Sequence, residues 1–507
     1  MNQSVTTPIY LMHKYWGKKP SNELRKILEK YTRENDVVFD PFSGYGGIAI
    51  ESLLLNRNVI INDLNPIATF ISKTILCEKI NLQKVKTLFS EIQKQYRSFE
   101  NKWYTYKNFE VLTILRTKND IPVKIKIKNG KAVQEILLTE DEIGFLLKQE
   151  SDYIIDTWYP TDVLITNSRI GAKAGMRVCD LFSKRALICQ SYLYSLINNL
   201  EDSPEKSLLL LAFTANLANC SKLVPPIASR GEMAQGAWMT GFYIGETYLE
   251  NNVFHYFENR VQKAIKGKAI YLEKRLEENV STTYTVLNED SKQLSLESNS
   301  IDFVFTDFPY GDTVPYFEQS QLWNSWLQFF VDFENEIVVS DSNQRNKNAK
   351  SFKTDITTAI GEIKRVLKPG SYFVFTFHSL NGSEWEAIYT ALEASGFEFI
   401  DCDVILQKTL PPRQLNRNNS IKGDVVVTYR CSDSPIQSNN DFYKVIENSL
   451  KNCTEELDTN DVVILFVKAM LSSSNAHNVD FAKLTAKYFS FNQETNKWRK
   501  NNDIHTA

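Results

Sequence analysis

The segment DVVFDPFSGYGGIAIESLLLNRNVIINDLNP, residues 36–66, constrains the fold more than any other part of the chain. An apolar run ends on Asp40 and enters a turn carrying Gly44, Gly46 and Gly47. IAIESLLLN then reads as an amphipathic helix, and NVIINDLNP as a second strand ending on Asp63. This is a strand–helix–strand unit of the length a parallel crossover needs. Glycine accepts positive φ and lets a ligand approach the backbone closely. In an open parallel sheet that ligand sits beyond the carboxyl ends of the strands.

The same rhythm returns late in the chain. YTVLNED and SIDFVFTDF read as strands, TDITTAIGEIKRVLKPG as a helix stopped by Pro369-Gly370, and SYFVFTFH as a strand. SEWEAIYTALEASG reads as a helix, and EFIDCDVILQKTL with GDVVVTYR as two closing strands. Ahead of the first unit, SNELRKILEKYT predicts a helix over 21–32 with Ser21 as N-cap and Glu23 in its first turn. Between the two halves the pattern changes. Helices are predicted near 85–100, 178–200, 205–220 and 240–278, with a hairpin turning at Asn129-Gly130. The expected fold class is α/β: a Rossmann-like sheet with a large mixed α/β insertion and a small helical, polar C-terminal region. The expected divisions are 1–80 and 281–432 for the split sheet domain, 81–280 for the insertion and 433–507 for the tail.

Composition narrows the class. The 507 residues carry a net charge of −3, 43% hydrophobic and 23% charged residues, as in an ordinary globular protein. This argues against a generally basic nucleic-acid coat and leaves a local basic groove open. Seven cysteines without a CxxC pair read as reduced thiols, not a zinc site or a disulfide framework. The first residues lack a signal-peptide pattern and no apolar run spans a bilayer, so a cytoplasmic protein is expected.

Two stretches carry chemistry. In TDFPYG a buried strand ends on Asp307, Phe308, Pro309 and Tyr310, whereas a plain turn needs only Gly, Asn or Asp. In DPFSGYGG the glycine spacing departs from the GxGxxG of a pyrophosphate-binding loop, and Asp40 would repel a pyrophosphate. An acid there suits a cofactor carrying an amine and a sulfonium, S-adenosylmethionine. Asp63, ending the next strand, is placed to accept from ribose hydroxyls.

DPFSGYGG resembles the D-P-F-x-G-x-G motif of DNA amino-methyltransferases, and TDFPYG their D-P-P-Y motif. HKYWGKKPSNEL, DTVPYFEQSQLWNSWL and EIKRVLKPGSYFVFTFH are similar to the adenine-specific branch that often carries a zinc ribbon. The resemblance implies that Asp40, Pro41, Phe42, Gly44 and Gly46 hold the methionine end of the cofactor. It places the ribose on Asp63, the adenine ring against Leu64 and the adenine amine on Asp290. It closes the site with Lys14, Tyr15, Trp16 and Pro20. Residue 308 is Phe where the family has Pro, and the zinc-ribbon cysteines are missing, so no metal is expected.

The chemistry follows from the amine. An exocyclic base amine is a poor nucleophile, because its lone pair is delocalised into the ring. Two acceptors, Asp307 and the carbonyl of Phe308, would draw it toward tetrahedral geometry. Tyr310 would stack on the base, Pro309 would stiffen the turn, and the base must be flipped out of its helix. Asp at the first position implies adenine N6. The alternatives are cytosine N4, an RNA guanine-N2 acceptor, or a decayed DNA-binding subunit. The implied partner is double-stranded DNA, contacted through Arg345, Lys347 and Lys350 in one basic loop and Arg413, Arg417 and Lys422 in another. The resemblance also implies a prokaryotic, nucleoid-associated enzyme of a restriction-modification or phage-defence setting, with a partner from such a system. The lone histidines His13 and His378 read as structural, and Trp323 and Trp326 as core.

Overall fold

A computed structural model describes residues 7–277, 282–309, 311, 314–377, 382–406, 423–432, 441–451, 453–473 and 481–501. Seven strands form the central sheet: β1 (Val37–Asp40), β2 (Asn58–Asn62), β3 (Tyr284–Leu287), β4 (Ile301–Asp307), β5 (Leu367–Phe377), β6 (Phe397–Leu406) and β7 (Gly423–Cys431). Their order across the sheet is β6-β7-β5-β4-β1-β2-β3. Strands β1 to β5 pair in parallel, and β7 runs antiparallel to both β5 and β6. Val38, Phe39, Phe303, Val304, Phe373 and Phe375 are fully buried, as strands covered on both faces require. The chain leaves β1 toward β2 and β3, then returns to lay β4 on the other side of β1. That reversal opens a crevice at the carboxyl ends of β1 and β4, the place where such sheets bind ligands.

Helix α1 (Ser21–Tyr31) precedes the sheet, α2 (Gly47–Leu53) joins β1 to β2, and α3 (Pro66–Leu76) follows β2. Helices α4 (Tyr316–Trp326) and α5 (Ala349–Val366) follow β4. Pro20, not Ser21, occupies the N-cap of α1, and the Ser21 hydroxyl is buried inside the first turn. Proline ahead of the helix sets the extended entry that a side-chain cap would otherwise stabilise.

The insertion is not a detachable module. Its helices Lys184–Asn198, Pro204–Leu217 and Val253–Glu277 share one apolar core with Val38, Val59 and Ile61 of the sheet. Lys268 donates to the carbonyls of Thr74 and Ile75, closing the C-terminal end of α3, and Arg275 donates to the carbonyl of Leu53. The predicted hairpin is present as strands Phe109–Thr117, Pro122–Asn129 and Ala132–Leu137. The helix expected over 240–278 begins only at Val253. Residues Thr247–Asn251 instead form a strand against Phe109–Thr117. Alternation in TYLEN was masked by the long helical pattern that follows it.

The tail differs from the helical expectation as well. It holds helices Phe442–Lys451, Thr459–Leu471 and Phe481–Tyr488, and also a three-stranded sheet of Glu456–Leu457, Phe489–Asn492 and Lys497–Lys500. Ile446, Val462 and Phe466 pack in the same cluster as Phe375 and Val427. The tail therefore covers one face of the β5–β7 side of the sheet.

Candidate active site

The crevice at β1 and β4 is a cleft enclosing about 1000 Å³, its open mouth included. Its floor is the glycine turn. Gly44 and Gly46 both have positive φ, +49° and +80°. A Cβ at Gly44 would lie 3.1 Å from the Tyr15 ring, and one at Gly46 only 2.7 Å from Ser72 Oγ. Asp63 pins the turn, accepting from the Gly44 N–H at 2.8 Å and the Asn65 N–H at 2.9 Å.

The N-terminal segment folds over this turn. Lys18 donates to the carbonyls of Tyr10 and His13 and lies 3.5 Å from the Tyr45 ring centroid. The Tyr45 hydroxyl donates to the carbonyl of Ile9. Tyr15 stacks on Tyr316, and Trp16 contacts both Tyr316 and Trp323. Asn65 donates to Ser320 and Tyr15, and Asn324 donates back to Asn65, so α3, α4 and the segment share one buried polar network. His13 is buried between the Lys14 carbonyl and Thr214, and burial drives its pKa down to about 3, which keeps it neutral. That is a structural histidine. Trp323 and Trp326 are core, 1% and 0% exposed.

Of the residues singled out for a cofactor, Tyr15, Trp16, Asp40, Phe42, Gly44, Asp63, Leu64 and Asp290 line the cleft. Lys14 does not. Its ammonium sits over the Trp238 ring at 4.1 Å, because the chain turns at Gly17 and carries residue 14 to the outer side of the segment. Pro20 serves α1, and the Pro41 carbonyl is engaged by Ser291. Gly46 acts by packing on α3 and not by facing the cleft.

Burial shapes the electrostatics. Asp40 is pushed up to about 8 by desolvation, against hydrogen bonds from the Thr306 hydroxyl and the Phe42 N–H that favour its ionised form. Asp63 is raised to about 6 by burial, opposed by its two backbone donors. Burial disfavours the charged form of both acids, and a cationic ligand in the cleft would favour it. Ser43 and Trp16 line the same cleft, and Ser43 Oγ and Trp16 Nε1 are buried without a protein partner. The donor set thus fits an amine- and sulfonium-bearing nucleoside, with buried hydroxyl and indole groups to spare.

Asp307 and Pro309 line the far wall. Asp307 Oδ1 accepts from the Thr376 hydroxyl at 2.5 Å, and Oδ2 is 3.0 Å from Lys19 Nζ. Lys19 also reaches Asp424 Oδ2 at 2.7 Å. Phe308 turns away from the cleft. It is 1% exposed and packs against Phe42, Phe373 and Phe375. Tyr310 lies outside the described residues, as do Arg413, Arg417, Lys422 and His378. Sequence reasoning missed Lys19, Tyr316, Thr376 and Asp424. Lys19 lay inside the quoted HKYWGKKP, yet no spacing rule ties it to an acid hundreds of residues away.

The basic loop after α4 departs from expectation. Arg345 is buried, not exposed, because it neutralises Glu318 at 2.7 Å and Glu336 behind the cleft wall. Lys347 is largely buried and pairs with Asp355 at 3.1 Å. Only Lys350 of the three is solvent-exposed. Burial also raises Glu336, to about 8, with Glu318 adding to the effect.

The sheet order and the cleft at its switch point form a Rossmann-like α/β arrangement that places a ligand beyond the carboxyl ends of β1 and β4. Residues 2–79 match the family described as DNA methylase. A tRNA (guanine(37)-N(1))-methyltransferase 1 from Vitis vinifera is 33% identical over 109 residues. That match covers 21% of this chain and spans 17% of the relative's length. Among solved structures, the rRNA methyltransferase aviRa from Streptomyces viridochromogenes is 10% identical, covering 82% of this chain and 84% of its own, with a TM-score of 0.28. An S-adenosylmethionine-dependent methyltransferase from Mesorhizobium loti is 13% identical, covering 32% and 76%, with a TM-score of 0.18. No helix among the described residues is long and apolar enough to cross a membrane, and no group of metal-ligating side chains occurs among them.

Proposed function

We propose that this protein transfers a methyl group from S-adenosylmethionine to an exocyclic amine of a DNA base, adenine N6. The observation that carries the reading is the position of Asp307. Its carboxylate ends β4 on the wall of the cleft whose floor holds Asp40, the glycine turn and Asp63. S-adenosylmethionine supplies an electrophilic methyl on a sulfonium. Tyr15, Trp16, Asp40 and Gly44 would hold its methionine end, Asp63 its ribose, and Leu64 and Asp290 its adenine. Asp307 accepts a proton-bearing edge of the target amine, which localises the nitrogen lone pair, and Pro309 stiffens the turn. The flipped base enters from the open mouth.

Double-stranded DNA is the substrate in this reading, with Lys350 on the exposed start of α5 as one phosphate contact. The insertion, 81–280, supplies target recognition through its outer strands and loops, since its helices are committed to the core. A prokaryotic restriction or defence role follows from the resemblance.

The test is methyl transfer from radiolabelled S-adenosylmethionine to unmethylated genomic DNA and to RNA, followed by nucleoside mass spectrometry. The expected product is N6-methyladenine in DNA, reduced about 100-fold or more by Asp307→Ala. N4-methylcytosine would move the acceptor, and methylation of RNA alone would overturn the DNA assignment.

A further inference from the structure

Asp307 is not held by its own strand. Its Oδ1 is fixed by Thr376 on β5 and its Oδ2 by Lys19 from the N-terminal segment. Lys19 is in turn held by Asp424, the second residue of β7. The ammonium is 6% exposed, and so is the Asp424 side chain. The segment backbone presses on the same oxygen: a Cβ at Gly17 would come within 3.2 Å of Asp307 Oδ2. These contacts fix both carboxylate oxygens of Asp307.

The buried Lys19 ammonium faces both Asp307 and Asp424, and breaking a buried pair is costly because it strands a charge. Burial lowers the Lys19 pKa, but Asp307 and Asp424 more than reverse this, so the group stays an ammonium.

We propose that Lys19 and Asp424 are positioning residues for methyl transfer: together they aim Asp307 and keep it a charged acceptor, and they do so only while the N-terminal segment is docked over the cleft. This rests on the role given to Asp307 under Proposed function. Among the described residues, Asp307 is faced by Lys19 from the segment, Asp424 from β7, Thr376 from β5, Asp40 from β1 and Tyr316 from α4. Lys19 is the cation in direct contact with Asp307 and Asp424 the anion that shares it, so the two substitutions carry opposite signs.

The experiment compares the pH dependence of kcat in Lys19→Gln, Lys19→Arg and Asp424→Asn, with folding checked by thermal melting. Removing the cation moves the acid limb of kcat to higher pH. Removing the competing anion strengthens the hold of Lys19 on Asp307 and moves the limb to lower pH. Lys19→Arg leaves it near the wild-type position. In Asp424→Asn, kcat falls roughly 10- to 100-fold through misorientation while the affinity for S-adenosylmethionine is kept. A structural role would move both limbs together or neither, and that result overturns the proposal. A second readout needs no turnover: ¹³C NMR titration of the unliganded protein with ¹³Cγ-labelled aspartate, the Asp307 signal assigned with Asp307→Asn. Opposite midpoint shifts there, without methyl transfer by the wild type, would retain the coupling and discard the assigned reaction. Unshifted midpoints would discard the coupling itself.

Discussion

Asp40 is a residue whose protonation matters outside the acid–lysine row. Its folded pKa, about 8, lies above the ordinary 3.8 because burial penalises the anion. Between those values the folded protein holds a proton that the unfolded chain has released. Stability therefore falls as pH rises across that window, by on the order of a few kcal/mol. Asp40→Asn removes the cost. Its melting temperature should exceed that of the wild type by a margin that grows from about pH 4 and levels off near pH 8. The same variant should bind S-adenosylmethionine roughly 10- to 100-fold more weakly in calorimetry, having lost a charged partner. Phe308 makes the opposite case. The departure from the family's proline is explained by the aromatic cluster of Phe42, Phe373 and Phe375, which its ring completes. Phe308→Pro should cost about 3–5 kcal/mol in denaturant unfolding, like other deletions of a buried aromatic, and should not raise activity. Asp40, Asp63 and Asp307 were legible because an acid closing an apolar run is conspicuous in a one-dimensional string. Lys19 and Asp424 were not, since a lysine among lysines and an acid at a strand start look solvated until the fold joins them.

The glycine turn works as an element because each glycine has a different neighbour. Gly44 yields space to Tyr15, and Gly46 to Ser72 on α3. Gly46→Ala would be strained twice, by a left-handed backbone and by the hydroxyl at 2.7 Å. It should lose about 1–2 kcal/mol from the backbone alone. Misplacing the turn should also weaken S-adenosylmethionine binding, whereas Gly130→Ala, at an open hairpin corner, should leave binding intact. The strand–turn–helix that builds this site was readable from pattern and glycine placement. Elements that depend on distant partners were not. Thr247–Asn251 pairs with Phe109–Thr117, and Lys497–Lys500 pairs with both Glu456–Leu457 and Phe489–Asn492. Short strands of this kind are stabilised by cross-strand neighbours more than by their own propensity.

Among the described residues the buried apolar side chains form two clusters, and each spans more than one of the divisions expected from sequence. The insertion helices belong to the cluster under β1 and β2, and the tail belongs to the one under β5 and β7. Excising 82–277 with a short linker should therefore yield insoluble protein and not a minimal catalytic domain. A soluble, cooperatively melting product would show that the insertion is dispensable for folding. Lys268 and Arg275 make the same point, because both cap backbone carbonyls of the first half of the sheet domain. The acid–lysine row has a consequence for biosynthesis. Lys19 and Asp424 are 405 residues apart in the chain. At about 5–20 residues per second, translation separates them by roughly 20–80 s. Through that interval a ribosome-bound chain already contains the DPFSGYGG turn and then the DFPY stretch, but Asp307 has no complete clamp. Under the proposed function, competence for methyl transfer is deferred to the last strand of the sheet, and an incomplete chain released early would carry the glycine turn without the assembled acceptor.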